Sequence, residues 1–206
     1  MKKLLTLITT LVLCVFLTAC NTAEQNEKSR FEGMKFLRTS ADGIKLSKTF
    51  DDVIELSDFI VVGEFIDDSE IVWEYQLHDD RFNKDVTVDV VSSCPMKITK
   101  VLYGDANEGD IVNVLQAEGV LGEVFMTRSM LTPMQKGDEW IFCLSRAKTH
   151  DLNGYWCVGE SDGRYPNPNS DSNEIMCFSD YPDLGVYEES DFNSEFYDQL
   201  KAKFNI

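Results

Sequence analysis

Two histidines, His78 and His150, are the only ones among 206 residues, so imidazole-based catalysis has few places to start. A Ser-His-Asp arrangement needs a base within hydrogen-bond reach of a nucleophile. His78 opens the polar stretch HDDRFNKD, and His150 lies in KTHD. Neither belongs to a nucleophile motif. Both read as solvated loop residues, and no catalytic residue is expected. His78-Asp79-Asp80 supplies metal donors, yet three consecutive side chains splay apart on a strand or turn. Asn167, Asn169, Asp171 and Asn173 set oxygen donors at alternate positions, as part of a calcium loop does. Ser172 stands where that loop needs glycine, and its closing bidentate glutamate is missing. A plain polar loop is the better reading, and no metal or cofactor is expected.

Sulfur and aromatic rings are the other chemistry on offer. Of six cysteines, Cys94, Cys143, Cys157 and Cys177 lie in the body of the chain, and none has the C-x-x-C spacing of a zinc site. Four cysteines allow three full pairings, and buried thiols behave as small hydrophobes. If Glu139–Ser145 and Asn153–Gly159 form a hairpin, Cys143 and Cys157 fall almost opposite one another. Opposed Cα atoms in such a ladder approach to about 4.5–5.5 Å, near disulfide range, which makes this pair the candidate bond. Trp73, Tyr75, Trp140, Tyr155, Trp156 and Tyr165 offer rings for a groove. Parity groups Trp73 and Tyr75 with Ile71 and Leu77, and Trp140 with Phe142 and Leu144, so these are expected in the core. Trp156 and Tyr165 remain as the candidate ligand surface.

The elements that must position these residues are mostly strands. SKTFDDVIELS (Ser47–Ser57) reads as a short helix capped by Thr49, with Phe50, Val53 and Ile54 on one face. β-Branched and alternating segments follow at Asp58–Phe65, Glu70–Leu77, Val86–Tyr103 (bent near Ser92-Ser93-Cys94-Pro95), Ile111–Gln116, Glu139–Ser145 and Tyr155–Gly159. Glu174–Phe178 is a further short candidate. Glu118–Met134 reads as a long connection, and Asp162–Asn173 as a surface loop. Phe192, Phe196, Leu200 and Phe204 recur every fourth residue, which predicts a C-terminal amphipathic helix packed on the strands. Many short strands with few helices argue an all-β barrel or sandwich, and a five- to six-stranded barrel with flanking helices suits the length.

The N-terminus sets where this body works. Lys2-Lys3 precedes an apolar run from Leu4 to Leu17, too short to span a bilayer and laid out as a secretory signal. Leu17-Thr18-Ala19-Cys20 resembles the bacterial lipobox. That resemblance implies cleavage between Ala19 and Cys20, a diacylglyceryl group on the Cys20 thiol, and anchorage at the extracytoplasmic face of the cell membrane. Two or more acyl chains hold stably where one is marginal. The expected organisation is a signal peptide over 1–19, a polar tether over 20–33 and one domain over 34–206.

Cleavage there removes two lysines from a chain of net charge −17. So acidic a surface repels phosphate backbones and excludes nucleic acid as a partner. It also gives no electrostatic hold on anionic lipid, so the acyl anchor must do the holding.

SDFIVVGEF, ITKVLYGDANEGDIVNVL, KGDEWIFCL and GYWCVGESDGRYP occur in that order between Phe50 and Pro166. The order resembles small lipoproteins of Gram-positive bacteria and, more distantly, the netrin-like module and the tissue inhibitors of metalloproteinases. It implies an OB-like barrel, and it carries no activity, since one fold hosts many functions. The inhibitors chelate their target's zinc through a free N-terminal cysteine beside the first strand. Here that residue would be the lipidated Cys20, far upstream of Asp58, so the wedge is not available. The expectation is a lipid-anchored binding module for a protein or glycan, without catalytic activity. The alternatives are an extracellular hydrolase or protease inhibitor acting through acidic loops, and a structural envelope lipoprotein.

Overall fold

A computed structural model describes residues 33–38, 49–128, 134–148, 151–159, 163–169 and 194–206. In chain order its elements are β1 (Lys35–Arg38), α1 (Phe50–Leu56), β2 (Phe59–Phe65), β3 (Glu70–Asp79), β4 (Lys84–Gly104), β5 (Ile111–Gln116), β6 (Glu118–Leu121), β7 (Val124–Thr127), β8 (Glu139–Arg146), β9 (Tyr155–Cys157), β10 (Arg164–Pro166) and α2 (Ser194–Phe204). Cys20 and Ala19, His150, Cys177, Phe192 and the segment Glu174–Phe178 lie outside the described residues.

Five strands close a barrel. β8 pairs with β2, β2 with β4, β4 with β5 and β5 with β9, and β9 returns to β8. All these pairings are antiparallel except β5–β9, which is parallel. Counted within the barrel, the order is first-second-third-fifth-fourth with the third and fifth strands parallel. This is an OB-like barrel in a mainly β chain, with a short N-terminal helix and a C-terminal helix. Closure leaves the five strands without a free edge to protect.

Strand parity divides the buried side chains into two clusters. Phe59, Val61, Phe65, Cys94, Met96, Ile98, Val114, Trp140, Phe142 and Leu144 fill one. Ile60, Val62, Ile141 and Cys143, on the other face of β2 and β8, join the helices in the second. Helix α1 starts at Thr49, whose hydroxyl accepts the Asp52 N–H (3.2 Å) while the Asp52 carboxylate accepts the Thr49 N–H (2.8 Å). That capping box turns Phe50, Val53 and Ile54 toward the sheet. Phe196 and Leu200 of α2 bury against the same layer, and Phe50 and Phe196 meet with ring centroids 6.2 Å apart. Of the C-terminal stripe, Phe204 packs at the margin of this cluster.

The strand expected from Val86 to Tyr103 runs unbroken for 21 residues. Along one edge it carries β2 opposite Met96–Gly104 and β3 opposite Lys84–Ser93. β5 takes the other edge opposite Ser92–Lys97. Pro95 lacks an N–H for a ladder, and it falls where β2 has ended and β3 has not begun. Its carbonyl accepts the Ile66 N–H at 3.0 Å in that gap.

Three expectations change. Glu118–Met134 is not a plain connection: β6 and β7 form a hairpin turning at Gly122 (φ +61°), and β1 joins β7 in parallel. Gly119 lies so close to Ile71 of β3 that an added Cβ would stand 2.6 Å from its side chain. The Asp162–Asn173 loop contains strand β10, paired to β8. Finally, β3 is not a half-buried strand whose rings enter the core. Of its ten residues only Ile71, Trp73 and Asp79 are partly covered, because among the described residues it pairs with β4 alone, and a two-stranded ribbon has no third layer.

Candidate functional site

Beyond Trp73 the β3–β4 ribbon stands as an arm, and its two faces differ in kind. On one, Trp73 and Tyr75 stack with centroids 6.2 Å apart and planes 5° from parallel. Tyr75 lies opposite Asp89 and Leu77 opposite Val86. Tyr75 and Leu77 are each 48% exposed, and Phe82 at the tip is 67% exposed. The sequence grouping of these rings on one face is observed, and their expected burial is not.

The other face is polar. The Glu74 carboxylate accepts from Gln76 (3.3 Å) and from the Thr87 hydroxyl (3.2 Å), and His78 Nδ1 meets Asp85 at 2.8 Å. The tip is built around Asp79. It accepts the Arg81 N–H (3.0 Å) and two guanidinium hydrogen bonds (3.1 and 2.8 Å), and Asn83 closes the turn at φ +48°. The Arg81 hydrogen bonds pull the Asp79 carboxyl below its ordinary range. His78 is thus tied to Asp85 across the ribbon. Among the described residues no group of three histidine, cysteine or acidic side chains is placed to hold a metal.

The chemistry expected elsewhere lies apart from the arm. Tyr165 is fully buried under α2, stacked on Tyr197 at 5.7 Å. It is a packing residue, not a ligand surface, because β10 places its odd member on the helix-covered face. Trp156 is half-buried on β9. β8 and β9 form the antiparallel pair expected, but the register sets Leu144 opposite Cys157. Cys143 sits one position away, in the helix-covered cluster, while Cys157 packs at the other. Side chains one residue out of register leave opposite faces of a sheet. Cys143 carries no disulfide, and burial pushes its thiol pKa far up, with the neighbouring Cys157 adding to the shift. Asn167, the first residue of the calcium-like series, gives its side chain to the fold. It donates to Glu139 (2.5 Å) and accepts the Asn169 N–H (3.1 Å).

Sequence reasoning missed a buried charge. Arg164, 1% exposed, lies with its guanidinium carbon 4.2 Å from the Trp140 ring centroid and 5.8 and 6.0 Å from those of Phe65 and Phe142. Nη1 donates to Gln116 (3.3 Å). Glu118, also buried, accepts the Met134 N–H (3.1 Å) and opposes the Arg164 charge. Burial lifts Asp138 from 3.8 to about 6, against the pull of Arg164 and the Trp140 indole. A carboxyl in that range beside a cation is a feature of many active sites. Hydrolysis by two carboxylates needs both to face one open cleft, whereas Glu118 is enclosed. Inside the barrel the rings of Trp140, Phe65 and Phe142 surround the Arg164 guanidinium, and the Glu118 charge opposes it.

No family model matches the chain, and no curated protein matches it either.

Proposed function

We propose that the protein is a lipid-anchored binding module at the extracytoplasmic face of a membrane, with the β3–β4 arm as its contact surface. One observation carries the second part: Tyr75, Leu77 and Phe82 are large apolar side chains left open on the hydrogen-bonded β3–β4 ribbon and its turn. Rings and aliphatic chains on rigid backbone contribute contact area at low entropic cost. The lipobox-like Leu17-Thr18-Ala19-Cys20 supports the anchor. Among the described residues no helix is long and apolar enough to cross a membrane.

The test is a paired screen of the full-length protein in detergent against envelope glycans and surface proteins, using wild type and a Tyr75→Ser/Leu77→Ser variant. A partner held by wild type and lost by a variant of unchanged melting temperature is the expected result. Turnover of a substrate that ignores the variant, with no arm-dependent partner, would overturn the proposal.

A further inference from the structure

The outer edge of β3 can accept another strand. From Glu74 to Asp79 the described residues give β3 no partner beyond β4. These six residues span about 20 Å, at roughly 3.3 Å each, and present their outward N–H and C=O groups as a ladder template. Proteins usually blunt such an edge with lysine or proline. The sequence EIVWEYQLHD has neither. What it has is negative charge: from Asp67 to Asp89 there are eight acidic residues against Arg81 and Lys84, with Asp79 already engaged by Arg81 and Asp89 by Arg128 at 3.2 Å.

We infer that the arm binds an extended polypeptide in which basic and apolar residues alternate, added as a strand on the β3 edge. The inference rests on the arm being the binding surface and names what it takes. Period-two alternation is what the two faces demand: apolar side chains beside Tyr75 and Leu77, cationic ones beside Glu74 on the reverse. Tyr75 adds a ring face for a lysine or arginine that folds over. The same charge selects against pairing between copies of this chain, each of net charge −17. It also steers a cationic partner inward at low salt.

The experiment measures affinity of the full-length protein in neutral detergent for three capped octapeptides. One alternates lysine with valine, one alternates glutamate with valine, and one repeats the lysine peptide with alternate backbone amides N-methylated. The lysine peptide binds and weakens with salt, and the glutamate peptide does not bind. N-methylation, Glu74→Lys and Tyr75→Ser/Leu77→Ser each weaken binding by roughly tenfold, the size of one or two lost hydrogen bonds or ring contacts. Both variants keep the wild-type melting temperature. Equal binding of the glutamate peptide refutes the charge argument. Lysine-peptide binding that ignores both N-methylation and the arm variants refutes the strand geometry and leaves diffuse attraction. If the lysine peptide fails to bind while the paired screen finds an arm-dependent glycan or protein, the cationic strand is wrong and the binding surface stands. If both experiments are blank, both are wrong.

Discussion

Removing the carboxylate at Asp138 should change how stability depends on pH. Burial raises its pKa from 3.8 to about 6 even though Arg164 and the Trp140 indole act to lower it. The folded chain therefore holds this proton more tightly than the unfolded chain, and ionising the group works against folding. Stability is lost as pH rises from about 4, and the loss is complete a little above 6. The gap between 3.8 and about 6, at about 1.36 kcal/mol for each tenfold, caps the loss near 3 kcal/mol. Asp138 keeps partial access to water, and solvent screening cuts the expected figure to about 1.5 kcal/mol. Asp138→Asn removes the ionisation and keeps the shape. Urea unfolding of both proteins from pH 3.5 to 8 gives the difference in stability at each pH, in which the other carboxylates cancel to first order. The variant should gain on wild type by about 1.5 kcal/mol across that window. A flat difference would refute the desolvation argument. A difference of opposite sign would show that attraction to Arg164 outweighs burial.

Arg164→Met should destabilise by about 3 kcal/mol, because it strands the buried Glu118 charge, and adding Glu118→Gln should restore more than half of the loss. Chemical denaturation of the single and double variants tests this, and additive losses would argue against the pairing. Gly104→Ala should cost about 2–4 kcal/mol. Gly104 sits at φ +87°, and an added Cβ would lie 2.3 Å from the Asp58 carbonyl oxygen. A melting temperature within a degree or two of wild type would contradict that geometry. Thr49→Ala should cost about 1 kcal/mol through the lost capping box, read from thermal unfolding. Cys20→Ser should abolish palmitate incorporation and move the exported protein from membrane to soluble fractions, whereas unchanged partitioning would remove the anchor from the proposal.

Where periodicity and turn chemistry agree, the sequence was a good guide. Ile111–Gln116 lies between GDANEGD and Ala117, and the strand occupies those residues. Thr49 with Asp52 three residues on announces α1. Alternation in IVWEYQL defines two faces, but it carries no information on whether anything covers the apolar one. That depends on which strands pair, and among the described residues β3 pairs with β4 alone. The hairpin of β6 and β7 was hidden by strands of four residues, too short to show a period. Tyr165 looked exposed because glycine, proline and asparagine surround it, yet three residues sufficed for an edge strand that turns its ring under α2. Arg164 gave no signal, since a lone arginine in a polar stretch is usually solvated. The cysteine pair failed by one residue of register. That was fixed by Arg146 pairing with Tyr155, across a connection whose length propensity does not set.

β4 belongs to the arm and to the barrel without a break. A tug on the tip would therefore reach the barrel along one continuous strand. Inside, β2 and β5 grip β4 from both sides near Met96 and Lys97. Tension along its axis must shear many hydrogen bonds at once, whereas in the ribbon, where among the described residues β4 has only β3 beside it, they can be peeled one by one. Under load the arm should open first and the barrel stay shut, leaving a mechanical fuse between whatever is grasped and the body that holds it.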